Sequence, residues 1–188
     1  EDHGFTDIEN HWAKGDIEFV VRQGLFSGTS ETIFSPDMAM TRGMFVTVLG
    51  RMAKVDVSGY KESSFTDVKE NAYYMSYIEW ARLNNIIKGI GNGIFAPDQS
   101  ITREQMAVIM QNFAKAHGFK LPKVNEEKAF ADSDSISAYA NEAVQEMQMS
   151  GIINGKGGNI FDPQGEATRA EVSAVLRRFM ELLISNGA

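Results

Sequence analysis

Apolar residues with helical spacing recur at three places along the chain. Downstream of residues 42, 103 and 169, apolar residues stand at offsets of +3, +6, +7 and +10. These residues are Phe45, Val48, Leu49 and Met52; Met106, Ile109, Met110 and Phe113; and Val172, Val175, Leu176 and Phe179. This spacing is typical of one face of an amphipathic helix, so it predicts three such helices.

A second helical period precedes each of these helices. Its apolar positions are Ile17, Val20 and Leu25; Ile78, Ala81 and Ile86; and Val144, Met147 and Ile152. Gly24, Asn85 and Gly151 stand where a left-handed C-cap belongs. Each unit is therefore predicted to be a helix, a long loop and a second helix. A loop of about sixteen residues is longer than most connections in compact domains, and its recurrence indicates a function.

One sequence motif occurs three times along the chain. The string Gly-x4-Ile-Phe-x-Pro-x4-Thr-Arg runs from Gly28 to Arg42, from Gly89 to Arg103 and from Gly155 to Arg169. Upstream, each unit has Phe-x-Asp and then an aromatic residue. The Asp residues are Asp7, Asp67 and Asp132, and the aromatic residues are Trp12, Tyr73 and Tyr139.

These motifs divide the chain into repeat 1 (residues 1–60), repeat 2 (61–124) and repeat 3 (125–188). One helix pair of about 60 residues cannot bury both of its apolar faces alone. We therefore expect an all-α module of three helix-loop-helix repeats, arranged with pseudo-threefold symmetry around one shared core.

Composition and charge exclude several functions. The chain has 188 residues, no Cys, and 18 basic against 25 acidic residues, giving a net charge of −7. This charge disfavours nucleic acid as a partner. No apolar run reaches the roughly 18 residues that a spanning helix needs, so we expect no direct membrane insertion. The first residue is Glu1 rather than Met, which indicates a processed or excised piece.

We also expect no metal and no cofactor. His3, His11 and His117 are scattered along the sequence and are expected to be solvated. Asp132 and Asp134 resemble the start of a calcium loop, but the Gly and Glu that such a loop needs are absent. Threefold repetition of one residue set favours a multivalent binder over an asymmetric catalytic centre. The sequence thus predicts no enzyme and no catalytic residue.

The repeated motif resembles the S-layer homology (SLH) domain. That family opens on Phe-x-Asp and an aromatic residue, passes through a Gly-x-Phe-x-Pro loop and closes on Ile-Thr-Arg-Ala-Glu. The closing motif here reads Met40-Thr41-Arg42-Gly43-Met44, Ile101-Thr102-Arg103-Glu104-Gln105 and Ala167-Thr168-Arg169-Ala170-Glu171.

The resemblance implies a spindle-shaped module with grooves between neighbouring repeats. It also implies non-covalent attachment of a bacterial surface protein to a secondary cell-wall polysaccharide that carries pyruvate ketals. The expected location is therefore the extracellular wall or S-layer of a Gram-positive bacterium. We expect the module to be monomeric, within either a lattice-forming protein or an anchored enzyme.

The Thr-Arg pair suggests both a structural and a binding role. Thr41, Thr102 and Thr168 are natural N-caps, and Gln105 and Glu171 would complete capping boxes. A cation at the first helical position opposes the helix dipole, so Arg42, Arg103 and Arg169 should each have an anion nearby. One interpretation is an internal partner, either the Asp of Phe-x-Asp or a carboxylate of another repeat. The other is a ligand carboxylate, held by the guanidinium and by free N–H groups of the helix.

Three further residue sets have two interpretations each. Trp12, Tyr73 and Tyr139 are either sugar-stacking platforms or core aromatics. Gly28, Gly89 and Gly155 provide either a positive φ or close approach of a ligand. The Ile and Phe of the loop motif are assigned to the core.

The alternative function is a helical-repeat scaffold for protein–protein interaction, with the Arg residues in internal salt bridges.

Overall fold

The computed structural model describes residues 4–186, and His3 lies outside this range. Six α-helices, two in each repeat, make up the regular structure of this part. They are α1 (Lys14–Arg22), α2 (Arg42–Met52), α3 (Met75–Leu83), α4 (Arg103–Ala116), α5 (Asn141–Met149) and α6 (Arg169–Ser185). Short 3-10 turns cover Ser133–Ser135, Ala138–Ala140 and Gly157–Asn159. The predicted all-α fold is confirmed, and β structure in residues 4–186 is limited to isolated bridges.

Local sequence signals explain where the helices begin and end. The hydroxyl of each predicted N-cap Thr accepts the N–H of the third helical residue in α2, α4 and α6. A reciprocal capping box is present at Thr102 and Thr168, as predicted. Gly24, Asn85 and Gly151 follow the first helix of each repeat with φ of 73°, 58° and 75°, which confirms the left-handed C-caps.

The helices pack between repeats. Helix α3 packs against α2, α5 against α4, and α1 against α6. Each pair thus joins the second helix of one repeat to the first helix of the following repeat, and the α6–α1 pair closes the ring. The buried apolar residues form one cluster that runs through all three repeats. The repeat boundaries at residues 60/61 and 124/125 stay a prediction.

Three backbone hydrogen bonds close a ring at the centre of the module. The N–H of Met40 donates to the carbonyl of Ala167, Ala167 donates to Ile101, and Ile101 donates to Met40, each at 2.9 Å. All three residues are fully buried. Because each bond links a different pair of repeats, this ring fixes the pseudo-threefold arrangement.

The second helix of each repeat begins against the loop of a neighbour. In α2, the N–H of Arg42 donates to the carbonyl of Gln99, and the N–H of Gly43 to that of Pro97. The same bonds join α4 to Gly165 and Pro163, and α6 to Met38 and Pro36. The first three N–H groups of these helices therefore already have partners, two in the neighbouring loop and one on the Thr cap. The expectation that they are free to bind an anion is wrong.

The core assignment of the loop motif holds for Phe but not for Ile. Phe34, Phe95 and Phe161 are fully buried, as predicted. Ile33 is 37% exposed and Ile94 and Ile160 are half-buried, so none of the three Ile residues belongs to the core. Within the described residues, no helix is long and apolar enough to cross a lipid bilayer.

Candidate functional site

The Arg of each Thr-Arg pair is buried against the next repeat in the ring. Arg42, Arg103 and Arg169 are 4%, 3% and 4% exposed. Each donates its Nε hydrogen to the carbonyl oxygen of the Phe in the neighbour's loop. The pairs are Arg42 and Phe95 at 2.9 Å, Arg103 and Phe161 at 2.7 Å, and Arg169 and Phe34 at 2.9 Å. Each guanidinium also lies over the ring of the same Phe. The three Arg residues therefore lock repeat 1 to 2, 2 to 3 and 3 to 1.

The outer nitrogens of the three guanidinium groups have different partners. Arg103 donates Nη2 to the carbonyl of Asn154 at 3.1 Å, and its Nη1 lies 3.1 Å from Oε2 of Glu171. Arg169 donates Nη2 to the carbonyl of Ser27 at 2.7 Å. For the guanidinium of Arg42, the Nε bond is the sole hydrogen bond that residues 4–186 provide. An inter-repeat carboxylate at ion-pair distance is thus present for Arg103 alone among the three.

The Asp of each Phe-x-Asp motif holds the loop of its own repeat. Asp7 accepts the backbone N–H groups of Phe34 at 2.9 Å and Ser35 at 2.8 Å. Asp67 and Asp132 make the same pair of bonds to the loops of repeats 2 and 3. The second donor in each pair has a φ near +58°, so the carboxylate stabilises a left-handed turn. None of the three carboxylates forms a salt bridge with a motif Arg, because both oxygens face these N–H groups. The expectation of Asp as the nearby anion holds at longer range, since Asp67, Asp132 and Asp7 act electrostatically on Arg42, Arg103 and Arg169 of the neighbouring repeats.

The aromatic residues of the motif are on the surface. Trp12 is 63% exposed, Tyr73 60% and Tyr139 62%, so the core interpretation is wrong for all three. Each stands immediately before the first helix of its repeat. Flat aromatic faces that remain exposed beside a concave surface are suited to stacking on a sugar ring.

Two grooves bring these aromatic residues together with the buried Arg residues. The Trp12 groove, of about 320 Å³, is lined by Trp12 from repeat 1, Arg103 from repeat 2, and residues 153–156 with α6 from repeat 3. Glu171, Lys156 and Arg178 also line it.

The Tyr139 groove is the larger of the two, at about 710 Å³. Tyr139 from repeat 3 and Arg42 from repeat 1 line it together with residues 85–90 and α4 from repeat 2. Lys88 and Gln105 also face this cavity. The Tyr139 hydroxyl donates to Glu104 at 3.2 Å, which fixes the orientation of the ring. Both grooves therefore take one part from each of the three repeats.

The third aromatic residue and the third Arg both approach repeat 1. Tyr73 from repeat 2 lies within the electrostatic field of Arg51 on α2, and Arg169 from repeat 3 contacts Ser27 in the loop of repeat 1.

The motif glycines are needed for a steric reason. Gly28, Gly89 and Gly155 do not have a positive φ, so that expectation is wrong. A Cβ on Gly89 would lie 2.8 Å from the Phe65 ring and 2.5 Å from the carbonyl oxygen of Ile94. The other two glycines have the same neighbours in their own repeats. Glycine lets the Phe of Phe-x-Asp pack against the loop, and Gly89 and Gly155 also line the two grooves.

Burial changes the acid–base properties of the groove. It lowers the pKa of Arg42 and of Arg169. It also raises the pKa of Tyr139, and the field of Glu104 acts in the same direction. The fields of Asp67 and Asp7 oppose the lowering of the pKa at Arg42 and Arg169. A partly desolvated guanidinium that has no acid in direct contact stabilises an anion that can reach it.

The two described histidines differ in their exposure. The His11 side chain is 12% exposed and its Nε2 lies 2.9 Å from Oδ1 of Asp37, so the expectation that it is solvated is wrong. His117 is exposed, as expected, although its ring stacks on Phe119 and lies close to Phe113.

Several groove residues were not found by the sequence analysis. A polar donor stands nine residues after the motif Arg in each second helix, at Arg51, Asn112 and Arg178. Each donates to the carbonyl of the residue that follows the left-handed C-cap. Their matching position in the three second helices is the signal that could have identified them. Lys88 and Lys156, which lack a counterpart in all three repeats, gave no such signal.

Comparison with known proteins agrees with the motif. The S-layer homology domain model matches residues 4–43, 64–107 and 129–173. The chain is 34% identical over 181 residues to an amylopullulanase of Thermoanaerobacterium thermosulfurigenes, with 96% of the chain and 10% of that protein covered. It is 26% identical to S-layer protein EA1 of Bacillus anthracis (90% and 19% covered) and 28% identical to a cellulosome-anchoring protein of Acetivibrio thermocellus (83% and 35%). The chain thus spans a tenth to about a third of the length of these relatives. It belongs to the S-layer homology domain family, of which it carries three tandem copies.

Proposed function

We propose that this module attaches a bacterial surface protein to the cell wall by binding a secondary wall polysaccharide that carries pyruvate ketals. Membership of the S-layer homology family supports anchoring, as do the relatives described as an S-layer protein and a cellulosome-anchoring protein. The proposed location is the extracellular wall of a Gram-positive bacterium, and the proposed module is a monomer that takes no cofactor.

One observation carries the carbohydrate part of the proposal. In both measured grooves an exposed aromatic ring stands beside a buried Arg that comes from a different repeat. An aromatic face binds a pyranose ring by stacking, and a guanidinium binds a carboxylate by charge-assisted hydrogen bonds. A pyruvate ketal places a carboxylate on a pyranose ring, so it matches both features at once.

The motif residues then divide into two roles. Trp12, Tyr73 and Tyr139 contact the sugar, the three Arg residues supply the positive charge beside it, and the motif glycines leave space at the wall of the groove. Asp7, Asp67 and Asp132 act by holding the loops, and Thr41, Thr102 and Thr168 act by capping the helices that carry Arg.

Three sites on one rigid module suit a repetitive polymer. Two weak sites that engage the same chain can raise the overall affinity by about 10²-fold or more. Firm attachment therefore does not require a strong individual groove.

Calorimetry with a purified Gram-positive wall polysaccharide tests the proposal. The glycan is titrated before and after enzymatic removal of its pyruvate. We expect binding to the intact glycan and a loss of at least about tenfold after pyruvate removal, since each lost charge-assisted bond contributes about 1.5–3 kcal/mol. Equal affinity for both preparations would contradict recognition of the carboxylate. Failure to bind any wall glycan would contradict anchoring.

The alternative is a helical-repeat scaffold for protein partners. The backbone contacts of Arg42, Arg103 and Arg169 favour it, because these residues have a structural task without any ligand. In the scaffold hypothesis, Ala at the three positions causes unfolding with no selective loss of glycan binding. A variant that stays folded and loses glycan binding supports the anchor instead.

A further inference from the structure

The two grooves differ at the third residue of the helix that lines them. Glu171 occupies this position in the Trp12 groove, and Gln105 occupies it in the Tyr139 groove. Both residues close a capping box on the Thr before the helix, so their local structural task is the same. Their charge is what distinguishes them.

In the Trp12 groove the Arg already has an acid partner. Oε2 of Glu171 lies 3.1 Å from Nη1 of Arg103, whose Nε and Nη2 donate to two carbonyl groups. Arg103 is 3% exposed, and the Glu171 side chain is 17% exposed. A ligand carboxylate that approached this guanidinium would meet the negative charge of Glu171 at close range, which is unfavourable.

In the Tyr139 groove the corresponding acid is missing. Gln105 uses its Oε1 to accept the N–H of Thr102, and its amide carries no charge. Arg42 is 4% exposed, yet its two outer nitrogens have neither a hydrogen bond nor an ion pair with any residue from 4 to 186. Lys88 lines the same cavity.

The acid whose field acts on Arg42 is Asp67, but both of its oxygens accept backbone N–H groups of the loop. A buried cation whose outer nitrogens lack a partner favours an anion that can replace lost water. The Tyr139 groove thus offers a guanidinium with no acid in direct contact, whereas Glu171 already pairs with the guanidinium in the Trp12 groove.

We propose that the residue at this third helical position determines which groove accepts an acidic sugar. With Gln105, the Tyr139 groove accepts a pyranose that carries a carboxylate. With Glu171, the Trp12 groove selects a neutral pyranose. This assignment rests on the proposed binding of wall glycan in these grooves.

Exchange of the two side chains tests the assignment. Gln105→Glu and Glu171→Gln each keep a residue that can form the capping box. The probes are methyl 4,6-O-(1-carboxyethylidene)-β-D-glucopyranoside and its methyl ester, which differ in the negative charge and in the one methyl group of the ester. Two signals in ¹⁵N-resolved NMR titrations report on the grooves separately: the Gly89 amide for the Tyr139 groove and the Trp12 indole N–H for the Trp12 groove.

In the unmodified module we expect the acid to bind more tightly than the ester at Gly89. Gln105→Glu should weaken acid binding there by about 10- to 100-fold and leave ester binding unchanged. Glu171→Gln should produce a gain of similar size for the acid at the Trp12 indole. Thermal unfolding of both variants provides the folding control, and Gln105→Glu alone decides the matter if Glu171→Gln does not fold.

The outcomes separate this inference from the function on which it rests. If the acid is preferred at Gly89 but Gln105→Glu does not reduce that preference, the inference is overturned and the proposed function stands. If acid and ester bind alike in every form, or neither binds, both are overturned.

Discussion

Replacing Arg169 by Ala tests whether the motif Arg holds the module together. Arg169 is one of the residues through which repeat 3 contacts repeat 1, and its side chain donates to the carbonyl groups of Phe34 and Ser27. Phe34 is fully buried, so its carbonyl would lose its donor without gaining water. Ser27 is exposed, and water can replace the second bond.

The magnitude follows from these contacts. An unsatisfied buried carbonyl costs about 1–3 kcal/mol, and loss of a desolvated cation–π contact with the Phe34 ring costs about 2 kcal/mol. Removing a cation from the first turn of α6 returns a few tenths to about 1 kcal/mol. Together with the lost packing of the side chain, we expect unfolding free energy to fall by about 3–5 kcal/mol. For a protein of this size that lowers the melting temperature by about 6–20 °C.

Arg178→Ala is the matched control. Arg178 lies on the same helix and donates Nη1 to the carbonyl of Ile152 in its own repeat at 3.3 Å. It is only half-buried, so we expect its loss to cost less than about 1 kcal/mol. Urea unfolding followed by far-UV circular dichroism and tryptophan fluorescence compares the two variants. Equal losses of stability would refute the idea that Arg169 locks the ring.

Three further predictions concern the loop, the acid side of the pH range and the surface aromatics. Gly89→Ala should lower the unfolding free energy by about 1–3 kcal/mol through overpacking against Phe65, whereas Gly59→Ala, which meets open space, should change little in the same urea assay. Burial by itself raises the pKa of Asp132, but two backbone N–H donors outweigh it and the pKa is lowered. Its stabilising effect is therefore complete above the ordinary Asp pKa of about 3.9 and is lost as the pH falls below it, so Asp132→Asn should flatten the acid limb of a stability–pH curve. Trp12→Ala should leave the melting temperature within about 2 °C and weaken glycan binding by about 3- to 10-fold in calorimetry; a large loss of stability would show that the ring is structural.

The sequence was sufficient for the local features of the fold. The Thr caps, the left-handed C-caps and the apolar faces of the second helices each depend on residues within a few positions of one another. For this reason Thr102 with Gln105, or Gly24 at the end of α1, could be read directly.

Pairing between repeats was not predictable in the same way. The three repeats have matching apolar faces, so packing within one repeat and packing between two repeats produce the same periodicity. The partner of each Arg was missed for a related reason, because it is a backbone carbonyl. For Arg169 this carbonyl belongs to Phe34. Every residue has a backbone carbonyl, so the pattern of side chains does not indicate which one is the partner. The motif glycines were misread because their constraint is the distant ring of the Phe-x-Asp motif.

The composition of each groove links folding directly to binding. The Trp12 groove needs Trp12 from repeat 1, Arg103 from repeat 2 and α6 from repeat 3, and the Tyr139 groove needs a different residue set from the same three repeats. A module that lacks one repeat therefore keeps no complete groove, rather than two of three. Because the same Arg side chains lock the ring and line the grooves, a ligand that binds them also stabilises the assembled ring by mass action. If the module binds a wall polymer as proposed, attachment would depend on the closed threefold ring as a whole, and the bound polymer would in turn stabilise the ring.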